Sequence, residues 1–509
     1  MSLEPSQGRV YLVGAGPGSL DLVTLRAREL IGLADVLIYD YLCNPDLLLW
    51  TRPQTEIIYA GKTSVSHTLR QEEINALLVE RARAGRLVVR LKGGDPYVFG
   101  RGGEEAQALA SAGVRFEVVP GVTSAIAAPS YAGIPLTHRD FASTVTFVTG
   151  HEDPTKMESR VDWPHLAQIR GTKVFLMGVE RIRGIAERLM AEGVAASTPV
   201  ALVRWGTTAR QESLEGTLET VADLVEKRNF MAPAVIIVGE IVKLRCELNW
   251  YEALPLFGQR VVVTRSRPQA GELSQKLTRL GADVLEIPTI RIVPRELDAT
   301  QAGKLNAFAA NFDWVVFTSP NSVARFLSEL ARCRVDIRSL GEVKIAAVGP
   351  STRNALNQFH LHVDLMPEIY TAENLARKFS EREIAKLRFC LPRGDLADPL
   401  LPDGLRERGA SVEEWTLYET QPELEDRTGA RARYLLEGAH WITFTSASTV
   451  ENWHALQLQP AAGAPQPKAV SMGPVTSAAL RRLGHEITAE ASASTLDSLV
   501  ATICDLSIE

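Results

Sequence analysis

Trp314-Val315-Val316-Phe317-Thr318-Ser319 returns 127 residues later as Trp441-Ile442-Thr443-Phe444-Thr445-Ser446. Each copy is a short β-branched and aromatic run ending in small hydroxyl residues, the pattern of a buried strand that enters a turn. Val348-Gly349-Pro350-Ser351-Thr352 returns as Met472-Gly473-Pro474-Val475-Thr476, 124 residues on, and both copies then reach Ala-Leu, at Ala355-Leu356 and Ala479-Leu480. A weaker match, offset by 128, pairs Thr264-Arg265 and Leu280-Gly281-Ala282 with Pro392-Arg393 and Arg408-Gly409-Ala410. Three matches in one order and at nearly one offset mark an internal duplication. The C-terminal half therefore reads as two similar α/β subdomains facing a shared cleft. Residues 288–294 and 416–422 hold equivalent places in the copies and read as extended connectors, the natural hinges.

The same alternation of short apolar runs and helix-length amphipathic segments extends to the N-terminus. Residues 10–13, 88–91, 145–149, 174–177 and 235–238 read as strands; 24–33, 71–84 and 104–112 read as helices. This predicts α/β layers with largely parallel sheets, joined by helical crossovers. Residues 247–258 separate two strand starts and read as a domain junction.

At 509 residues the chain is long enough for about three or four domains or subdomains. Its 45% hydrophobic and 23% charged residues are ordinary for a globular protein. The apolar run 233–239 is far too short to span a bilayer, and the first nine residues carry no signal-peptide pattern. The net charge is −6, with 27 Lys+Arg against 29 Asp+Glu in residues 1–250 and 28 against 32 beyond, so no nucleic-acid footprint is expected. The five cysteines form no CxxC pair, which argues against a disulfide framework or zinc site and suits a reducing, cytoplasmic compartment. No metal is expected. His360-Leu361-His362 is the one spacing that could place two imidazoles on one strand face.

Glycine loops recur at strand ends in the N-terminal half. Gly14-Ala15-Gly16-Pro17-Gly18 follows a strand and precedes a helix, but Ser19 stands where a dinucleotide fingerprint needs its third glycine. Lys92-Gly93-Gly94-Asp95-Pro96 and Gly100-Arg101-Gly102-Gly103-Glu104-Glu105 follow another strand. Carboxyl ends of strands are where open α/β sheets bind ligands, so two such loops point to a cofactor cleft. Asp95 also suits a plain Asx turn before Pro96. Pro120-Gly121-Val122-Thr123-Ser124 and Gly133-Ile134-Pro135-Leu136-Thr137-His138-Arg139 add two more small-residue loops. His138 and Arg139 could hold a substrate carboxylate, or be a solvated pair.

These five loops in order, with Thr149-Gly150-His151, resemble the uroporphyrinogen-III C-methyltransferases of the tetrapyrrole methylase family over residues 8–247. The resemblance implies two α/β subdomains with S-adenosylmethionine between them. It implies methylation of uroporphyrinogen III at C2 and C7 to precorrin-2, with S-adenosylhomocysteine as product. It assigns Pro17, Gly93, Gly94, Asp95, Val98, Thr123, Ser124, Met177 and Gly206 to the S-adenosyl site. Asp40 and Lys62 match acid/base positions; family members often carry Lys-Arg where this chain has Lys62-Thr63. Methyl transfer from a sulfonium needs alignment and a base but no metal, and a carboxylate such as Asp40 suits the base. Asp40 could equally end a strand, and Lys62 could bind a substrate carboxylate or be a solvated loop lysine.

In the C-terminal half small hydroxyl residues recur at strand-to-helix turns: Thr318, Ser319, Thr352, Thr445, Ser446 and Thr476. Each could cap a helix, and each could help aim a helix N-terminus at an anion. Residues 261–265, 317–323, 349–352, Pro392-Arg393-Gly394, Tyr418-Glu419-Thr420 and 473–476 resemble uroporphyrinogen-III synthase over 258–509, with 248–257 as linker. The implied architecture is a pair of flavodoxin-like α/β subdomains, one of 258–290 plus 422–509 and the other of 295–417. The implied reaction cyclises hydroxymethylbilane with inversion of ring D, without a cofactor. Tyr418 matches the tyrosine linked to that reaction, whereas the duplicated position holds Ile290; an amphipathic core role is the other reading of Tyr418. Thr318, Ser319, Thr352, Ser446 and Thr476 are the expected substrate contacts.

Together the resemblances imply a bifunctional enzyme of two consecutive steps, on the branch toward sirohaem and cobalamin. They imply a homodimer through the N-terminal domain, with tetrapyrroles as the small-molecule partners and neither nucleic acid nor membrane. Two rival classes stand beside it. One is another S-adenosylmethionine-dependent methyltransferase, acting on a later corrinoid or on RNA. The other is a fusion whose C-terminal half only captures the tetrapyrrole. No GxGxxG motif is present for precorrin-2 oxidation. The protein incubated with substrates and NAD is therefore expected to form no sirohydrochlorin; its absorbance in that mixture would overturn the expectation.

Overall fold

The computed structural model describes residues 8–61, 69–150, 160–265, 267–423 and 425–508. Its first sheet contains β1 (Arg9–Gly14), β2 (Val36–Tyr39), β3 (Glu56–Tyr59), β4 (Leu87–Lys92) and β5 (Phe116–Val119) in the order β3-β2-β4-β1-β5. All its pairings are parallel. Helices Leu25–Leu33, Gln71–Arg83 and Gly102–Ser111 make the connections. Strands β1 and β4 are nearly continuous apolar runs because both their faces are buried.

The second sheet holds β6 (Val145–Thr149), β7 (Thr172–Leu176), β8 (Pro199–Arg204), β9 (Glu212–Thr217) and β10 (Ala234–Val238), in the order β6-β7-β10-β8-β9. Here the expectation of largely parallel sheets fails. Only β6 and β7 are parallel, and β10 runs against both β7 and β8, as β9 does against β8. The link between β8 and β9, residues 205–211, is too short for a crossover helix, so the chain must return antiparallel.

The duplicated half begins with β11 (Arg260–Val263) and β12 (Asp283–Glu286), then β13 (Ile290–Pro294), β14 (Trp314–Phe317), β15 (Lys344–Ala347), β16 (Arg388–Gly394), β17 (Ser411–Pro422), β18 (Trp441–Phe444), β19 (Lys468–Ser471) and β20 (Ala489–Glu490). One sheet has the order β12-β11-β18-β19-β20, all parallel. That is the 2-1-3-4-5 order of flavodoxin-like folds. The other is β13-β17-β16-β14-β15, with β13 antiparallel at its edge. In β17-β16-β14-β15 the same order returns, but the chain enters it at the third strand.

The repeat extends to side chains. The amides of Arg260 and Arg388, each opening a strand, donate to His440 and Asp313, each one residue before a Trp. Lys344 lies over the ring of Trp314 and Lys468 over that of Trp441.

The chain divides into two compact units. One comprises Met1–Thr264, Gln269–Ile287 and Glu425–Glu509; the other comprises Arg265–Pro268 and Pro288–Leu424. The second unit is wider than the 295–417 read from the sequence. The segments read as extended connectors and hinges are strands of its sheet, paired from Ile290 with Pro422 to Pro294 with Tyr418. Satisfying their backbone groups in that ladder draws both into the unit.

The core of the second unit centres on Trp415, which is fully buried, with Phe308 and Phe312 edge-on to its indole and Phe326 stacked on it. Trp415→Ala is expected to destabilise this unit by about 3–5 kcal/mol. Denaturant unfolding followed by tryptophan fluorescence should show one transition moved and the other unshifted.

Candidate functional site

Three glycine loops meet where β4, β1 and β5 end side by side. Gly16 and Gly94 form an antiparallel bridge, the Gly94 amide donating to the Gly16 carbonyl at 2.7 Å. A Cβ on Gly14 would strike the backbone of Gly121 and Gly94, and one on Gly121 would strike both in return. Gly94 has φ +67, a conformation that costs other residues about 1–2 kcal/mol. Pro17, Gly93, Gly94, Asp95, Thr123 and Ser124 are thus drawn to one edge of the first sheet.

Asp95 ties these loops together. Its Oδ1 accepts from the amides of Tyr97 and Val98 at 2.8 and 3.2 Å, and its Oδ2 from that of Gly121 at 3.0 Å. The Asx-turn reading holds, with an added bond across to the neighbouring loop. Thr123 caps helix Ser124–Tyr131 through the Ala125 amide.

The second sheet brings one more loop to this edge. A Cβ on Gly18 would meet Thr208, Thr207 and Gly206, and one on Gly206 would strike Ala128 of helix Ser124–Tyr131. Trp205 and Thr207 flank Gly206 with left-handed φ values of +47 and +71. Met177, just past β7, also has a left-handed φ of +58, and its side chain is 51% exposed. Left-handed non-glycine residues cluster at ligand sites, where the surroundings must hold them. A side-chain-free floor at strand ends suits a ligand that approaches backbone closely, so these residues fit a nucleoside-bearing cofactor.

Asp40 follows β2, the next strand over from β4. Its Oδ1 accepts from the Leu42 amide at 3.1 Å, and its Oδ2 faces Arg90 Nη2 at 3.4 Å. Behind it lies a charged cluster that the sequence reading assigned no role. Fully buried Glu105 receives Arg90 Nε at 3.3 Å, Lys92 Nζ at 2.9 Å and Gln71 Nε2 at 3.2 Å, all on Oε1. Burial, and then the Arg90 charge, lower the Lys92 pKa against the pull of Glu105 and Asp40. The signal was available: Arg90 and Lys92 interrupt an apolar run in a strand buried on both faces. Lys62 and His151 lie outside the described residues.

His138 and Arg139 stand on a surface turn, with the His138 ring against Phe141 and its Nδ1 accepting from the Asp140 amide. Arg139 is exposed. His360 and His362 do not share a strand face, because His360 turns the chain with φ +58 after helix Pro350–Asn357.

In the second unit, Tyr418 is 8% exposed, and its ring covers Gly394, where a Cβ would collide with it. Its hydroxyl lies 3.2 Å from Ser319 Oγ. Burial raises the Tyr418 phenol pKa, while the hydrogen bond with Ser319 opposes the rise. Ser319 also caps helix Pro320–Arg332 through the Ser322 amide, and Thr318 precedes it at the end of β14. Thr352 is buried in the first turn of helix Pro350–Asn357. In the first unit, Ser446 caps helix Ala447–Leu456, and Thr476 is buried in the first turn of Pro474–Arg482. Of these hydroxyl residues, Ser319 and Ser446 cap helices in matched positions of the two copies, whereas Thr352 and Thr476 follow the N-caps Gly349 and Gly473.

Residues 9–222 match the family described as Tetrapyrrole (Corrin/Porphyrin) Methylases, and residues 271–501 match Uroporphyrinogen-III synthase HemD. A porphyrin biosynthesis protein HemD of Ruminiclostridium josui is 37% identical over 451 residues, 88% of each chain. A uroporphyrinogen-III C-methyltransferase of Bacillus subtilis (strain 168) is 42% identical over 351 residues, 69% of this chain and 71% of that one. An S-adenosyl-L-methionine-dependent uroporphyrinogen III methyltransferase of Methanosarcina barkeri (strain Fusaro / DSM 804) is 55% identical over 237 residues, 47% of this chain and 93% of that one. With identity sustained across both halves, the chain belongs to the porphyrin-biosynthesis family that joins a tetrapyrrole methylase domain to a uroporphyrinogen-III synthase domain.

Proposed function

We propose that this chain catalyses two consecutive steps of tetrapyrrole biosynthesis. The C-terminal half cyclises hydroxymethylbilane to uroporphyrinogen III. The N-terminal half methylates that product at C2 and C7 to precorrin-2, with S-adenosylhomocysteine as the by-product. The observation that carries the reading is the side-chain-free floor at the ends of β4, β1 and β5 with Asp40 beside it, in a chain 37% identical to a porphyrin biosynthesis protein over 88% of its length.

S-adenosylmethionine supplies an electrophilic methyl group when bound. The loops around Gly93, Gly94, Thr123, Ser124 and Gly206 hold it, with Pro17, Asp95, Val98 and Met177 completing the site. Asp40 takes the proton that the methylated carbon must lose, since a carboxylate within reach of that position serves as general base. Lys62 assists as the acid/base partner or as the cation for a substrate carboxylate, and His138 and Arg139 receive further carboxylates. In the second half, the Tyr418 hydroxyl steadies the departing hydroxyl of the bilane. Thr318, Ser319 and Thr352 sit at helix N-termini that suit its carboxylates, and Ser446 and Thr476 hold the matching places in the other copy. The protein works as a homodimer through its N-terminal domain, in the cytoplasm. The five unpaired cysteines support that compartment, and among the described residues no helix is long and apolar enough to cross a membrane.

Two measurements test this. Freshly made hydroxymethylbilane should give uroporphyrinogen isomer III without the methyl donor and a dimethylated product with it. Isomer I alone, the product of spontaneous closure, would remove the synthase step. Asp40→Asn keeps shape but cannot take a proton. It should lower kcat for methylation about 100-fold or more while S-adenosylhomocysteine binding stays close to that of the unaltered protein. Full methylation by this variant would take Asp40 out of the base role.

A further inference from the structure

The segment read from sequence as the end of one domain and the start of a linker is not a passive tether. Arg245 and residues 249–252 fold back against the loops that carry Gly206 and Ser124. Arg245 Nη1 donates to the Ala132 carbonyl at 2.6 Å, and Trp250 Nε1 donates to that of Ser130 at 3.2 Å, both at the far end of helix Ser124–Tyr131. Trp250 and Tyr251 both pack on the Tyr131 ring, with centroids 5.0 and 4.8 Å away.

Glu252 is the hub of this segment. Its Oε2 accepts from Arg245 Nη2 at 2.6 Å and Asn249 Nδ2 at 3.4 Å, and its Oε1 from Ser213 Oγ at 2.7 Å and Gln211 Nε2 at 2.9 Å. Burial raises the Glu252 carboxyl pKa, but the bonds from Gln211, Arg245 and Ser213 and the Arg245 charge outweigh it and hold the group ionised.

From Glu252 the chain of bonds leads into the strained loop. Gln211 Nε2 also donates to the Tyr131 carbonyl at 3.3 Å, and its Oε1 accepts the Thr207 amide at 3.0 Å. Thr207 Oγ1 in turn accepts the Ser19 amide at 3.1 Å, just beyond the 14–18 loop. The Tyr251 hydroxyl reaches the Thr207 carbonyl at 3.5 Å. Gln211 is 5% exposed and Thr207 2%. The position demands an amide, because one end must accept from a backbone N–H while the other donates to a carboxylate. A carboxylate there would face Glu252, and an apolar side chain would orphan the buried Thr207 amide.

We infer that Gln211 and Glu252 are positioning residues for the methyl-donor site, holding Trp205 and Thr207, on either side of Gly206, in their left-handed conformation. The inference rests on the reading that the Gly206 loop lines the S-adenosyl site. A threonine and a tryptophan with positive φ relax toward ordinary backbone once their hydrogen-bond partners are removed. Relaxation moves Gly206 off helix Ser124–Tyr131 and Thr207 off Ser19. It therefore disturbs both loops that meet there, from two residues outside the proposed donor contacts.

Isothermal titration of the full chain with S-adenosylhomocysteine tests this. Gln211→Ala is expected to raise the Kd about tenfold, which is about 1.4 kcal/mol. Gln211→Glu should weaken binding similarly, by setting one carboxylate against another. The exchange Gln211→Glu with Glu252→Gln removes the like-charge contact and restores one donor–acceptor pair, but not the bond to the Tyr131 carbonyl or the Arg245 ion pair; it should bind about threefold tighter than Gln211→Glu without regaining the unaltered Kd. A merely structural lesion would not be repaired by that exchange. Isomer III formation by the same preparations reports that the C-terminal half is folded. Unchanged affinity in both single variants overturns the inference, as does an exchange that binds no better than Gln211→Glu. An unaltered chain that takes up no S-adenosylhomocysteine overturns the donor-site reading itself, and the inference with it.

Discussion

Backbone lies against backbone where β4, β1 and β5 end, and the architecture of the N-terminal half depends on that approach. Gly14, Gly94 and Gly121 sit so close that a methyl group on Gly14 or Gly121 would strike its neighbours' main chain. Three adjacent strands can therefore deliver their following loops to one place without side chains between them. What they expose is peptide, amide and carbonyl, which suits close recognition of a polar ligand at strand ends. Asp95 converts proximity into rigidity, because its two oxygens take three amides from two of the loops. A loop system with so few side chains to pack needs such a tie to avoid the entropy of an open turn.

Beside this neutral floor the charge is concentrated in one buried line. Asp40, Arg90, Glu105 and Lys92 run from the edge of the site into the layer between β4 and helix Gly102–Ser111. Two cations and two carboxylates balance, which is how such a group survives the several kcal/mol per ion that desolvation costs. Removing one member leaves the others uncompensated in a dry layer. The arrangement holds the face of Asp40 toward the site by a guanidinium that is itself fixed. The Asp40 carboxylate is thereby placed from a strand interior rather than from a loop alone.

The duplicated half shows where repetition stops and chemistry begins. Strand order, the amide bonds from Arg260 and Arg388 and the Lys-over-Trp pairs are common to both copies. They serve packing and recur because packing is the same problem twice. The copies part after β12 and its counterpart. The first chain segment leaves its sheet at Glu286, whereas β17 is twelve residues long in all and pairs with β13. Tyr418 lies in that extra length, over Gly394 and against Ser319. At the offset position, Ile290 opens β13, which pairs with β17 in the same sheet. The tyrosine is thus tied to the one stretch that the repeat does not dictate.

Local patterns made much of this legible. Strands β1 and β4 announce themselves because a parallel strand buried on both faces is largely apolar, with Arg90 and Lys92 as the exceptions in β4, and the glycine loops announce themselves because only glycine tolerates such approach. The antiparallel second sheet was missed. Its strands look alike in composition, and the direction of β9 was set by the seven residues 205–211 rather than by any strand. The connectors 288–294 and 416–422 were correctly read as extended but not as partners, since an edge ladder between segments about 130 positions apart leaves no periodic trace. The same limit hid Glu252 and Gln211, 41 positions apart, in stretches that look like linker and turn. Trp205 and Thr207 hid for a further reason. Positive φ is written into sequence only when glycine adopts it, and here the strain falls on residues that local rules would place elsewhere. Such strain must be maintained by bonds from outside the loop. A strained loop at a ligand site is therefore an instruction to look for its distant supports, and here they lie in the segment that a domain-by-domain reading would discard.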